Sequence, residues 1–436
     1  MLGAAGTHDV EAIVGGGVHH LTRFANNEIT QNVSERRYVL SVRVVQGQRS
    51  GRATGSDLGS AGIERLLTRA EEGARVAPES EDALPLPGPQ RYEESASYRA
   101  ATAAMGPEGR AMDVARAIEK TSEAGLDGAG IYETGHGTIG EYGRIAPLAM
   151  ANSRGLFAYH DTTDARFSIT ALRGAESGWA ERTTHDVADI DGGALAARAI
   201  EKARRSREPR TWEPGEYDVV LEPIAVSDLL EEMSATSFGA LALQEGRSFM
   251  TGALGSLVLG KGVTIHADAR HPLHGGAPFD GEGMPTRRVT IIERGVARSA
   301  VHDRRTAAKD GVESTGHGLP YPNPYGPEAR DLVLEGGTDS LAALIGGVDR
   351  GLLVSRVWYT NVVDPKSVTV TGMTRDGLFA IEGGKVTGAV RNFRFNQSIV
   401  HMLRRVDGMT GVERAGSVVC PALRVRGFHM SSGTEF

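Results

Sequence analysis

The sequence predicts an α+β protein in two parts. Residues 1–210 read as an N-terminal α/β domain with a mixed sheet and helices. Residues 211–436 read as a C-terminal domain that is mostly an antiparallel β barrel or sandwich with one long helix. Three observations carry this. Glycine is abundant, at 57 residues, while aromatics are only 6%, a mix that suits tight strand connections rather than a helical bundle. Period-two segments and helical spacings alternate before residue 210, whereas one helix followed by a long run of strands comes after it. Finally, 436 residues exceed the roughly 250–300 at which a single hydrophobic core stops growing.

In the first part, Leu21–Ala25, Ile29–Val33, Tyr38–Val45 and Arg49–Thr54 read as short strands, with turns at Asn26-Asn27 and Gln46-Gly47. Tyr38, Leu40, Val42 and Val44 share one strand face. Ile63, Leu66, Leu67, Ala70 and Ala74 then recur at helical spacing after Gly59-Ser60. The stretch Pro78–Pro89, acidic and proline-rich without a period, is a linker or surface excursion. A second helix carries Val114, Ala117, Ile118 and Thr121. Strands follow at Gly128–Glu133, Ile145–Ala151, Leu156–His160 and Ala165–Arg173, with a hairpin turn at Asn152–Gly155. Leu195, Ala199, Ile200 and Ala203 mark a third helix, and the basic stretch Arg204–Pro214 places the domain boundary near residue 210.

The second part opens with a strand at Tyr217–Leu221 and a helix bearing Val226, Leu229, Leu230, Met233 and Leu241 on one side. Strands are expected at Arg287–Glu293, Val296–His302, Leu352–Thr360, Val368–Gly372, Leu378–Ile381, Lys385–Arg394 and Ala422–Phe428. Turns are expected at Glu293–Gly295, Arg375–Gly377 and Glu382–Gly384. The run of short turns implies a barrel or a sandwich. Gly318–Pro327, with four prolines and two tyrosines, reads as a surface loop, structured or plainly exposed.

Net charge is −7 with both signs interspersed, so no nucleic-acid surface is expected. The single cysteine, Cys420, forms neither an internal disulfide nor a thiolate metal cage. Met1–Val18 lacks a basic, apolar leader, and no run of about 18 apolar residues predicts a membrane span. A cytoplasmic location is the expectation. Gly15-Gly16-Gly17 is not followed by a strand-to-helix phosphate loop. His266, His271 and His274 fall within nine residues, but Arg270 and Pro272 point to surface histidines on a loop rather than a metal site. Asp280 and Glu282 share a face if extended, yet Gly281 and Gly283 favour a hydrogen-bonded turn.

Several stretches, in order along the chain, resemble the TldD/PmbA family. They are Arg23–Ile29 with Gln31-Asn32, Val42–Val45, Phe279–Arg287 followed by Ile292–Val296, Thr369–Gly372, Gly377–Phe379, the Ile381–Lys385 turn, Arg391–Ser398 and Pro421–Val425. The resemblance implies a heteromeric peptidase in which one subunit type carries an HExxxH motif on the helix opening the C-terminal domain. Its histidines and a later cysteine hold zinc, and its glutamate serves as general base.

The matching helix here reads Leu229-Leu230-Glu231-Glu232-Met233-Ser234-Ala235-Thr236. Glu231 and Thr236 stand where histidines are expected, and only Glu232 keeps the place of the base. Positions five apart on a regular helix point about 140° apart, so Glu231 and Thr236 do not converge without a distortion. Cys420 falls in the closing strand, whereas the family's cysteine precedes it. The resemblance therefore implies a TldE/PmbA-like subunit with no catalytic residue and no metal of its own. It implies zinc in a TldD-like partner, and unfolded or small peptides as substrates, for degradation or precursor maturation. Phe279, Asp280, Glu282, Asn392 and Arg394 are the candidate peptide groove. Two alternatives stand beside this reading. One is an active metallopeptidase using Glu231 with loop histidines; the other is a stand-alone peptide-binding homodimer.

Overall fold

The computed structural model describes residues 8–95, 97–137 and 147–434. Met1–Thr7 of the expected leaderless start, and Ile145 and Ala146 of one expected strand, lie outside the described residues. The chain opens with a long ribbon of β1 (Asp9–Ala25) and β2 (Glu28–Gln46). Asn26 and Asn27 connect them with φ of 52° and 60°, the left-handed pair that a two-residue hairpin turn needs and that asparagine tolerates. The two short strands expected within 29–45 are one strand. Residues 28–37 of β2 are exposed throughout, so Ser34–Arg37 interrupts the apolar pattern without interrupting the pairing.

Next come β3 (Arg49–Gly55), α1 (Ser60–Val76), the single turn α2 (Ala100–Ala103) and α3 (Pro107–Glu123). They are followed by β4 (Asp127–Gly137), β5 (Pro147–Asn152), β6 (Phe157–Tyr159), β7 (Thr163–Arg173), β8 (Glu176–Thr184) and α4 (Gly192–Arg205). The strands form one sheet ordered β3-β2-β1-β4-β7-β8, with β5 on β1 and β6 on β5. The mixed sheet expected here is antiparallel at every described pairing. α1 seats Leu66, Ala70 and Ala74 on Leu40, Val42 and Val44, and α3 and α4 cover Phe167, Ile169 and Tyr132. Both helix layers lie close. A Cβ at Gly51 would stand 2.2 Å from the Ala70 carbonyl, and one at Gly178 2.2 Å from that of Ala199. The proline-rich linker after α1 is irregular but anchored, with Leu86 buried and Pro87 O accepting from Asn152 Nδ2 at 2.8 Å.

The second half begins with β9 (Gly215–Leu221), α5 (Pro223–Ser237) and α6 (Ala240–Gln244). The expected long helix thus ends before Leu241, because the chain turns at Phe238-Gly239 to bridge Val301. Then come β10 (Ile265–Ala267), β11 (Val289–Glu293), β12 (Val296–Ala297), α7 (Arg304–Asp310), β13 (Leu332–Leu334) and α8 (Leu341–Gly346). The last stretch holds β14 (Arg350–Asp364), β15 (Thr369–Glu382), β16 (Lys385–Ala389), β17 (Phe393–Ser398) and α9 (Ile399–Arg404). It ends with β18 (Val406–Met409), β19 (Glu413–Ala415), β20 (Val418–Cys420) and β21 (Leu423–Gly433).

The order β14-β9-β21-β17-β15 closes on itself through β14–β15 pairing, which makes a five-stranded barrel rather than a sandwich. A second sheet runs β12-β11-β10-β13-β20-β19. Only β9–β14 and β13–β20 pair in parallel among the described strands. The turn expected at Arg375–Gly377 is instead a bulge within β15, where Asp376 and Gly377 take φ of 51° and 135°. α5 lies against β14, β19 and β20 and is buried along Ala225, Val226, Leu229, Leu230 and Met233.

Candidate functional site

α5 is fixed at its start by a buried ion pair. The carboxylate of Glu222 accepts from Lys202 Nζ at 2.6 Å and from Ser355 Oγ at 3.1 Å, tying α5 to α4 and β14. Pro223 at the first helical position costs no hydrogen bond there. With its apolar side buried, the helix turns Glu231 outward and leaves Glu232 and Thr236 half-exposed.

Glu231 meets the turn between β19 and β20. Ser417 Oγ donates to its Oε1 at 2.5 Å, and Ser227 Oγ lies 3.5 Å away. The turn reaches this close through Gly416, whose φ is 56°. Thr236 faces elsewhere. Its hydroxyl donates to Glu232 O at 2.8 Å, one turn back along its own helix. Cys420 is not in the closing strand as expected; it ends the separate short strand β20. Its Sγ donates to Pro223 O at 3.2 Å, eight residues from Glu231, or roughly 12 Å along the axis. Full burial raises its pKa well above the usual thiol range, and Glu413, Asp228 and Glu231 add to that. The side chain that reaches Glu231 from this hairpin is therefore the hydroxyl of Ser417, a residue that sequence reasoning passed over. Its only signal was a Gly-Ser pair just ahead of Val418.

This set does not fit zinc. Zinc needs three imidazole, thiolate or carboxylate ligands converging at about 2.0–2.3 Å, and here Glu231 is accompanied by the Ser417 and Ser227 hydroxyls while Thr236 turns its own hydroxyl into the helix. Among the described residues no three His, Cys, Asp or Glu side chains are arranged to hold an ion.

Beside α5, β8 and β14 raise an aromatic and cationic shelf that the sequence did not announce. The Arg356 guanidinium lies 4.6 Å from the Trp179 ring and 5.3 Å from the Trp358 ring, and Arg375 lies 3.5 Å from Trp358. Trp358 stacks on exposed Tyr359 at 5.7 Å. Burial lowers the Arg356 pKa, while the charges of Asp376, of Asp228 on α5 and of Glu181 on β8 act against that shift.

The five expected groove residues fall in two places. Phe279 packs on Ile13, Met150 and Leu156 and lies 5.5 Å from the Tyr92 ring. Asp280 is buried and accepts from Glu282 N and Met284 N at 2.9 Å and from Gly318 N at 2.6 Å, the turn its flanking glycines suggested. Burial pushes its carboxyl up to about 6 against the pull of those N–H groups. Burial, then the charge of Asp280, pushes half-buried Glu282 up to about 8, although Arg304 N donates to it at 2.8 Å. Both shifts favour a shared proton on this pair, because two largely buried carboxylates face each other. Asn392 and Arg394 belong instead to the barrel. Asn392 Oδ1 accepts from Thr374 Oγ1 at 3.1 Å, next to Arg375 of the shelf, and Arg394 is exposed on β17.

The histidines are not surface loop residues as a group. His266 is buried in β10, with Nε2 2.7 Å from Glu335 Oε1. His274 is buried and its Nε2 donates to Leu332 O at 2.7 Å. No helix among the described residues is long and apolar enough to cross a membrane.

Comparison with known proteins places this architecture. Residues 10–74 match domain 1 of the PmbA/TldA metallopeptidases, 107–207 their central domain and 214–432 their C-terminal domain. An uncharacterised protein of Methanocaldococcus jannaschii is 24% identical over 289 residues, 64% of this chain and 65% of that protein. A metalloprotease of Methanothermobacter thermautotrophicus is 25% identical over 52% of this chain and 50% of its own length. The chain thus spans between half and two thirds of these curated relatives. Among solved structures, TldE from Thermococcus kodakarensis superposes with a TM-score of 0.85 at 20% identity, over 97% of this chain and 96% of that one. A Thermotoga maritima protein described as a modulator of DNA gyrase gives 0.84 at 20% identity, over 98% and 97%. These likenesses are to the fold. With all three family domains matched in order, the chain belongs to the PmbA/TldD metallopeptidase family.

Proposed function

We propose that this chain is the non-catalytic, TldE-like subunit of a heteromeric zinc metallopeptidase, cytoplasmic and acting on unfolded or small peptides. In this reading a TldD-like partner supplies the zinc and the general base. The two units 1–210 and 211–436 supply part of the chamber and of the peptide-binding surface. The observation that carries it is the Glu231–Ser417 hydrogen bond. Where the resemblance places the family's first zinc histidine, this chain has a carboxylate that accepts from a serine hydroxyl, and among the described residues no three His, Cys, Asp or Glu side chains are grouped to hold an ion.

Two features support a binding role. The first is the β2 edge over residues 28–37, exposed and outside the reach of β3, which pairs only from Leu40 onward; an extended peptide or partner strand adds to such an edge. The second is the shelf of Trp358, Tyr359 and Arg375 beside α5, to which Asn392 contributes through Thr374. Phe279, Asp280 and Glu282 shape the turn that joins the two halves rather than a common groove with Asn392 and Arg394.

The test is reconstitution with a relative bearing HExxxH. Glu232→Gln in this chain should leave peptidase activity of the complex within about twofold, while the same change in the partner's motif abolishes it. Collapse of activity with Glu232→Gln here would establish the active-metallopeptidase alternative instead. A monodisperse homodimer that ignores the relative would favour the scaffold.

A further inference from the structure

A narrow cavity lies where the first sheet, the linker and the C-terminal loops meet. It is walled by Glu11 of β1, Arg43 of β2, Glu282 and Tyr321 of two loops, and Arg304 and Arg305 at the start of α7. Its volume of about 40 Å³ has room for about three waters, the size of one carboxylate group.

The charges around it are unequally satisfied. Glu11 is buried and accepts from Arg52 Nη2 at 2.5 Å. Arg52 is further held by Ser41 Oγ at 2.9 Å and by the Tyr321 carbonyl at 2.5 Å. Asp303 is engaged by Thr306 N and Oγ1 at 2.7 and 2.6 Å, and Arg305 lies 3.7 Å from Asp82. Arg43 is different. It is 6% exposed and lies over the Tyr321 ring at 4.8 Å. Its Nε is 3.6 Å from Glu11 Oε1, and among the described residues that nitrogen has no hydrogen-bond acceptor. A buried guanidinium nitrogen without an acceptor is a costly arrangement. Arg304 stands close enough for the two cations to repel each other. Glu282 lines the same cavity, its carboxyl accepting from Arg304 N at 2.8 Å, and burial and the charge of Asp280 favour its protonated form.

We propose that this cavity binds a carboxylate, held by Arg43 and Arg304 with Glu282 in the cavity wall. The carboxylate comes from a small carboxylic acid or from a peptide C-terminus. A guanidinium prefers a planar carboxylate to a round anion because two N–H groups match two oxygens. Ligand held there links β2, the loop of Glu282 and the start of α7, and so stiffens the joint between the halves. The inference is independent of the subunit reading, since it concerns neither α5 nor a partner.

The experiment is calorimetric titration of the full chain with acetate, with inorganic phosphate, and with one short peptide carrying either a free or an amidated C-terminus. Binding with Kd on the order of 1 mM or tighter is expected for acetate or for the free-terminus peptide. Which of the two binds more tightly identifies the source. Amidation should abolish peptide binding, and Arg304→Gln should weaken the preferred ligand at least about tenfold. Arg43→Met should do the same; because it sits in a buried pair and is at risk of misfolding, Glu282→Leu serves as the second cavity variant. No binding by either carboxylate, equal binding of phosphate, or affinity unchanged in both Arg304→Gln and Glu282→Leu would overturn the proposal.

Discussion

The hydroxyl of Ser417 donates to the carboxylate of Glu231 at 2.5 Å, joining the β19–β20 turn to the exposed side of α5. This contact holds the turn beside the helix with the chemistry of a surface hydrogen bond. Such a bond contributes little to folding, about 0.5–1.5 kcal/mol. Glu231→Ala and Ser417→Ala should each lower stability by no more than that in urea melts. The double variant should cost about as much as either single one, as expected for two ends of one contact.

The ion pair at the start of α5 is a different matter. Lys202 Nζ and the Glu222 carboxylate are 2.6 Å apart with side chains 15% and 10% exposed. Lys202→Met leaves a buried carboxylate without its cation and should cost about 3–5 kcal/mol. Lys202→Met with Glu222→Gln should recover most of the loss, since the amide still accepts from Ser355. Equal costs for the single and double variants would show that Glu222 is solvated.

Stability should depend on pH through Glu282. Its folded pKa, about 8, lies above the ordinary 4.5, so between those values the folded chain holds a proton that the unfolded chain has released. The stability this confers is fully present below about 4.5 and is lost as pH rises through about 8. Asp280, raised to about 6, acts in the same direction over a lower window. Urea midpoints should therefore fall between about pH 5 and pH 9. Glu282→Gln should flatten the upper part of that slope.

Gly51 and Gly178 let α1 and α4 lie directly on the sheet. Gly51→Ala and Gly178→Ala each place a methyl about 2.2 Å from a helix carbonyl, and each should cost about 1–3 kcal/mol by forcing the helix outward. Gly47→Ala, where nothing lies within 4 Å but φ is +62°, should cost about 1–2 kcal/mol from backbone strain alone. Thermal melts of the three variants separate the two causes.

The α+β class and most elements were legible because period-two and helical patterns are local. α1, α3 and α4 fall where Leu66, Val114 and Ala199 repeat. What failed was non-local. Ser34–Arg37 looked like a break because the sequence does not reveal that both faces of that ribbon are in solvent. Arg375–Gly377 looked like a turn because a bulge and a turn use the same left-handed residues. β8 was overlooked, since Trp179 and Ala180 are its few apolar signals between polar neighbours. Barrel closure rests on β14 meeting β15 and β9, a pairing that no residue announces. The helix that carries Glu231, Glu232 and Thr236 was readable as a helix. Its partner Ser417 and the tryptophan shelf come from segments far along the chain, and only folding brings them there.

The most direct measurement is the metal content of the chain purified alone, taken together with its peptidase activity before and after chelation. The account predicts zinc well below one ion per chain and no activity that chelators abolish. About one zinc per chain with chelator-sensitive peptide cleavage would contradict it.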